Sequence, residues 1–288
     1  MSTESPRITH DDTQAYRRHV DDAAQFLRDE GDAVPPLGLV IGAGLDGIAD
    51  ALEIDTALAF PSLPHAPHDS DARLILGSLD DTPLVALQGP LHLHDGYTPR
   101  QVAFPIRVLA TAGVDTLLVT QTAGGLNPQY APSDVMLVTD HINFQGANPL
   151  VGPNVEDWGP RFPDMSEPYD TALRDRAEHV ALNAGVRLHQ GVYLAVLGPH
   201  LETDAEYRML RAMGADAVGT GAVSEVIAAR HMSMRVCALS VITDRCLPDA
   251  LQPVSVDDMQ SAADDAIPTV TRLLRGLIAE PTPAARPQ

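Results

Sequence analysis

At 288 residues, the chain is long enough to bury a substantial core in one large domain or two small ones. A formal net charge of -20, from 39 acidic against 19 basic residues, disfavours DNA, RNA and anionic membranes as partners. Every basic side chain is arginine, so a Schiff-base lysine and a P-loop lysine are both excluded.

Tyr16, Val20, Ala23, Ala24 and Leu27 recur at helical spacing and predict a helix from Asp12 to Glu30. Gly31 and Pro35-Pro36 end it, and Leu37–Ile41 then reads as a buried strand. Pro61 to Asp71 reads as a surface excursion. Short apolar runs follow at Leu74–Leu76, Leu84–Leu87, Leu117–Val119, Val135–Val138, Val192–Leu197, Ala217–Val218 and Val236–Val241. Helix-like stretches lie between several of them: Gln101–Thr111, Thr171–Ala184, Thr203–Met213 and Ser224–His231. This alternation predicts a largely parallel sheet covered by helices.

A long loop from Gly146 to Pro168 carries Trp158, the only tryptophan. The last helix is expected to start at Ser255, with Asp258 as its capping partner, and to kink or divide at Pro268. Residues 281–288 read as a frayed tail, leaving one domain over residues 1–280. No apolar run reaches membrane-spanning length, and the Met1–Pro6 stretch lacks an export pattern. Cys237 and Cys246 form no CxxC pair, so a cytoplasmic protein is expected, with no disulfide required.

Gly42-Ala43-Gly44-Leu45-Asp46-Gly47 follows a strand; its backbone N–H groups either hold an anion or its glycines serve tight packing. His92 and His94 flank Leu93 after another strand. Their spacing permits a metal, but no cysteine is near, and hydrogen bonding or acid–base work by His92 is favoured over ligation. Thr120-Gln121-Thr122-Ala123-Gly124-Gly125 suits either a ligand crevice at a sheet's edge or a sharp turn. Glu202 and Asp244 also sit at strand ends, where each carboxylate either receives N–H groups of a planar base or is simply solvated.

The ordered series Phe104-Pro105-Ile106-Arg107-Val108, Gly124-Gly125-Leu126-Asn127-Pro128, Asp140-His141-Ile142-Asn143, Arg161-Phe162-Pro163, Gly198-Pro199, Glu202-Thr203 and Gly214 to Gly219 resembles the trimeric purine nucleoside phosphorylases. That branch includes methylthioadenosine phosphorylase, and the likeness runs from about Leu39 to Ile278. It implies an α/β fold, a central mixed sheet with a distorted barrel flanked by helices, and a homotrimer. It also implies cleavage of a purine nucleoside by inorganic phosphate, giving free base and ribose 1-phosphate, with no cofactor or metal.

Carried over by position, Glu202 receives the purine N–H groups, Tyr193 lies beside the sugar, and Trp158 closes over a neighbouring subunit's nucleoside. His92 touches phosphate, as does the backbone around Gln121-Thr122, with Gly44 a further backbone donor. Asp244 stands where enzymes for 6-oxopurines have asparagine. Ionised, it favours a 6-amino group; protonated, it donates to N7 as the base leaves.

The departures concentrate where phosphate should sit: Ala43 for serine or threonine, Pro90 for arginine, and Gly221 for serine. Arg100 and Arg245 are the candidates to compensate. Val256 stands near the place of a histidine that serves the sugar 5′-hydroxyl, which would tolerate an apolar 5′ substituent. Two alternatives stay open, a phosphate-independent purine nucleosidase and a catalytically silent nucleoside-binding protein.

Overall fold

The Thr9 hydroxyl accepts the Asp12 N–H while the Asp12 carboxylate receives the Thr9 N–H, a reciprocal cap that starts α1 (His10–Glu30). The computed structural model describes residues 8–31 and 33–279. The expected tail at 281–288 therefore lies outside the described residues. The same capping device starts α2 (Pro99–Ala112) at Thr98, α4 (Asp204–Ala212) at Thr203, and α6 (Val256–Ile278) at Ser255 with Asp258. Asp170 caps α3 (Thr171–Ala184). The fifth helix in chain order, α5 (Val223–His231), is buried along almost its whole length.

Among the described residues, nine strands form one sheet: β1 (Leu37–Ile41), β2 (Glu53–Ala59), β3 (Arg73–Leu79), β4 (Thr82–Gln88), β5 (Thr116–Gly125), β6 (Val135–Asn143), β7 (Leu188–Ala195), β8 (Ala217–Gly219) and β9 (Arg235–Arg245). Their order is β2-β3-β4-β1-β5-β8-β7-β6-β9, and β9 pairs again with β5. That second pairing closes β5, β8, β7, β6 and β9 into a barrel, with β2, β3, β4 and β1 as an open wing. Pairs β1–β4, β1–β5 and β5–β9 are parallel, whereas β5–β8 and β6–β9 are antiparallel. The sheet is thus mixed, as the resemblance implies, and less parallel than the alternation alone predicts.

Apolar side chains of α1, α2 and α5 share one core on one side of the sheet, while those of α3 and α6 share another. Two sequence expectations need correction. Of the kink or division expected in α6 at Pro268, the division does not occur: one lost N–H bond is outweighed where Ala262, Ala263 and Ala266 before it and Val270, Leu273 and Leu274 after it are all buried. The sequence reading also lacks β2, an exposed edge strand that pairs only with β3 and shows no buried alternation. Among the described residues, no helix is long and apolar enough to cross a membrane.

Candidate active site

Parallel strands β1, β4, β5 and β9 deliver their carboxyl ends to one edge, with the Gly-rich turn, the His92–His94 segment, Gln121-Thr122 and Asp244. Antiparallel β8 brings Gly219 to the same place: a Cβ there would stand 3.1 Å from Thr122 O. A larger cavity of about 520 Å³ opens beside Ala43, Pro90 and His92, and of two smaller ones the first lies against Asp244 and the second against Glu225.

The first, about 230 Å³, is lined by Glu202, Asp244, Thr243, Tyr207, Cys246 and Met259 among others. Asp244 is 9% exposed, and both its oxygens are contacted: Thr243 Oγ1 lies 2.8 Å from Oδ1 and Cys246 Sγ donates to Oδ2 at 3.1 Å. The Thr243 hydroxyl also lies 3.3 Å from Ala123 O and its one proton serves one of the two, while the Cys246 thiol donating to Oδ2 presents Asp244 as an acceptor. Burial raises the pKa of Glu202. Gly124 is required here, because a Cβ would collide with Cys246 Sγ.

The second cavity, about 140 Å³, is lined by Ala43, Pro90, His92, Gln121, Gly221 and Glu225, together with Thr122, His94 and Thr220. Those last three also line the first cavity, so the two adjoin across a shared wall. His92 and His94 stack with ring centroids 4.9 Å apart. Burial, and then the neighbouring His94, lower the His92 pKa, keeping its ring neutral. Gln121 donates Nε2 to Ser240 Oγ at 2.9 Å.

The Gly-rich turn resolves into two roles. Gly42 packs against β5, where a Cβ would stand 2.5 Å from Thr120 O. Gly44 turns the chain at φ +80, and its carbonyl accepts from Gln260 Nε2 at 3.0 Å. A short 3-10 helix, Asp46–Ala51, follows.

Several carried-over roles are not matched by the placement of their residues. Trp158 is 9% exposed and turned into its own chain, edge-on to Tyr16 at 5.8 Å and beneath the Arg107 guanidinium at 4.4 Å. It cannot reach outward from there. The outward aromatic of that loop is Phe162, 86% exposed. Tyr193 is fully buried and packs under Gly219 behind the cavity wall, not in the cavity.

Neither candidate arginine compensates at the second cavity. Arg100 donates to Thr13 Oγ1 at 3.0 Å and lies over the Tyr16 ring, and Arg245 is exposed at the end of β9. Among the described residues, no arginine lines this cavity. Val256 is exposed, and Met259, one turn further along α6, lines the first cavity instead. No group of three His, Cys, Asp or Glu side chains among the described residues is placed to hold a metal ion.

Sequence reasoning missed Glu225, Thr243, Cys246, His94 as a cavity residue, and Phe162 as the exposed aromatic. Glu225 carried a legible signal: it is an acidic residue inside the apolar run Ala222–Ala229.

An α/β sheet with a closed barrel and two adjoining polar cavities at its strand ends defines a small-molecule-binding protein with a site of two compartments. The chain belongs to the phosphorylase superfamily, whose family model matches residues 36–279. It is 40% identical over 265 residues to purine nucleoside phosphorylase 1 of Bacillus subtilis, covering 91% of this chain and 98% of that one. It is also 40% identical over 237 residues to the purine nucleoside phosphorylase of Bos taurus, covering 79% and 82%. The structure of Schistosoma mansoni purine nucleoside phosphorylase in complex with adenosine superposes with a TM-score of 0.88 at 34% identity, covering 92% of this chain and 98% of that one.

Proposed function

We propose that the protein cleaves the N-glycosidic bond of purine nucleosides by phosphorolysis, releasing the free base and ribose 1-phosphate. The observation that carries this is the pair of cavities joined at Thr122, His94 and Thr220, with Glu202 and Asp244 on one side. Relatives at about 40% identity over most of the chain are purine nucleoside phosphorylases, which supports the same reading. The purine enters the first cavity, the sugar lies at the shared wall, and the acceptor enters the second.

Cleavage of this bond builds positive charge on the sugar and negative charge on the departing purine. Glu202 holds base N–H groups in place, and Asp244 accepts from the base edge beside it. Groups fixed before the reaction stabilise charge without reorganising during it. Phosphate acts as co-substrate, with no resident cofactor. His92 and the backbone near Gly44 and Thr122 are its remaining ligands, since Ala43, Pro90 and Gly221 offer no side-chain donors. At about 1.5–3 kcal/mol for each hydrogen bond to a charged group, three lost ligands weaken phosphate binding by several orders of magnitude.

The assembly is a homotrimer in which Phe162 of one subunit covers the nucleoside of the next. Phe162 at 86% and Val151 at 59% exposure share one groove with Leu150, Pro163 and Met165, and a contiguous exposed apolar patch of this kind supports a contact site. Two free, buried thiols, Cys237 and Cys246, support a reducing cytoplasmic location. Base release from a purine nucleoside panel across a phosphate titration tests the function. Phosphate-dependent release with ribose 1-phosphate as co-product is expected, and nucleoside binding without any base release would overturn it.

A further inference from the structure

Asp244 stands at a bulge where β9 carries one residue more than β5 beside it. The parallel register runs Ala123↔Ile242 and then Gly124↔Asp244, so Thr243 is the extra residue, and such a bulge re-aims the side chains at a strand's end. Opposite it is Gly124, where a Cβ would stand 3.5 Å from Asp244 Oδ1 and collide with Cys246 Sγ. The side chain missing at Gly124 leaves the space that the Cys246 thiol fills. The Cys246 N–H donates to Gly125 O at 2.9 Å, and its side chain, 2% exposed, shares an apolar cluster with Leu126, Leu194, Tyr207 and Val218. Held there, Sγ donates to Asp244 Oδ2 at 3.1 Å.

Of the two groups at this carboxylate, the thiol is the dedicated donor. Thr243 Oγ1 lies 2.8 Å from Oδ1 and 3.3 Å from Ala123 O, with one proton for both. Burial, and then the Asp244 carboxylate beside it, push the Cys246 thiol well above its ordinary value, so its proton stays on sulfur at neutral pH. The Tyr207 hydroxyl, from α4, faces the same sulfur and Glu202. Cys246, Tyr207 and both carboxylates line the first cavity.

We infer that Cys246 is a positioning residue for purine selection: its thiol holds the Asp244 carboxylate with accepting lone pairs toward the base, and so sets the preference between 6-amino and 6-oxo purines. The inference rests on the reading above, in which the base lies against Glu202 and Asp244. The terminal torsion of an aspartate is broad when nothing holds it. Without the thiol, Oδ2 is a buried acceptor that has lost its donor, and the carboxyl turns to find another. The base then meets an acceptor that is no longer fixed, and the advantage of a 6-amino over a 6-oxo group shrinks.

The test uses the whole protein with adenosine and with inosine at one saturating phosphate concentration, and reads kcat/KM for each. Cys246→Ala removes the donor, Cys246→Val removes it while filling the space, and Cys246→Ser keeps one. The adenosine-to-inosine ratio should fall at least about fivefold in the two donor-free variants and stay within about twofold in Cys246→Ser, since one hydrogen bond to a charged group is at stake. In an Asp244→Asn background, Cys246→Ala should move the ratio no further, because the group it positions is already gone. Either donor-free variant suffices if the other fails to fold. A packing role alone slows both nucleosides alike. An unchanged ratio in the donor-free variants, or an equal fall in Cys246→Ser, overturns the inference and leaves the phosphorolysis reading intact. If the unaltered protein releases no base at any phosphate concentration, the phosphorolysis reading falls. Calorimetric affinities for adenine and hypoxanthine then decide the inference, by the same shift in their ratio.

Discussion

Cys246 Sγ donates to Asp244 Oδ2 at 3.1 Å, which commits that carboxylate oxygen to accepting from its own chain. Thr243 Oγ1 lies 2.8 Å from Oδ1, with Ala123 O as a second acceptor for its one proton. What remains of Asp244 for a ligand is its other lone pairs, which again accept. A purine that offers a 6-amino donor fits this edge better than one that offers a 6-oxo acceptor. In Asp244→Asn, the amide presents a donor as well, and the ratio of kcat/KM for adenosine to that for inosine should fall roughly tenfold, about 1.4 kcal/mol. An unchanged ratio would place Asp244 outside base selection.

Glu202 holds the other edge of the base cavity. Truncation to alanine leaves base N–H groups in a partly buried cavity with no acceptor. At about 1.5–3 kcal/mol per hydrogen bond to a charged group, purine affinity should fall by roughly 10- to 100-fold in calorimetry. Burial raises the Glu202 pKa, so the ionised acceptor is lost sooner than usual as pH falls. Purine affinity in the unaltered protein should weaken as acid is added through that raised value, and Glu202→Gln should flatten the dependence.

The sequence made the strand ends legible because the Gly-rich and hydroxyl-rich stretches at Gly42, Thr120 and Asp244 each follow an apolar run. It did not reveal which way the side chains face. The lid role of Trp158 is what the resemblance implies by position. Only packing shows that Arg107 and Tyr16 hold its ring inward, with Phe162 left outside. Tyr193, which the resemblance places beside the sugar, is buried directly under Gly219, a residue of the first cavity's wall. Glu225 stands out in the sequence as an acid in an apolar stretch, but the cavity that gives it a neighbourhood exists only once β4, β5 and α5 are assembled.

A buried carboxyl whose folded pKa is raised also makes stability depend on pH. Glu225 has an ordinary value of 4.5 and is pushed up to about 7 by burial. Between these values the folded state holds a proton that the unfolded state releases, so stability falls as pH rises from about 4.5 to about 7. The loss attributable to this group is of order 3 kcal/mol, from about 1.36 kcal/mol per pKa unit. Chemical denaturation of the unaltered protein and of Glu225→Gln at both ends of this range should show the variant with the flatter profile. Parallel profiles would mean that Glu225 is charged in the folded protein throughout.

Phe162 offers the cleanest test of a shared site. Its side chain is solvent-exposed in its own subunit, so Phe162→Ala should leave the melting temperature nearly unchanged. If it covers a neighbour's nucleoside, the variant should raise KM for nucleosides about tenfold while light scattering still reports a trimer. A stable monomer with full activity would remove both the assembly and the lid.

The last expectation concerns phosphate itself. Ala43, Pro90 and Gly221 line the second cavity and bring no side-chain donor to it. Ala43→Ser and Pro90→Arg reintroduce a hydroxyl and a bidentate cation, and Gly221→Ser adds a second hydroxyl. Gly221 does not have a positive φ, so serine is compatible with its backbone. The new Cβ would stand 3.2 Å from His92 Cε1, and the imidazole must yield by a few tenths of an ångström. Position 90 is harder, because the neighbouring cavity on its other side is lined by Asp46, Asp69, Asp71 and Asp95, against the single cation Arg73. An arginine there is drawn toward those carboxylates as well as toward phosphate, so Pro90→Arg alone should do less than the triple variant. The triple variant should reach half-saturation at a phosphate concentration at least about tenfold lower, the worth of one charge-assisted hydrogen bond. If phosphate saturates the unaltered protein and the triple variant equally, the anion is held by the backbone and His92 alone, and these three positions have no part in it.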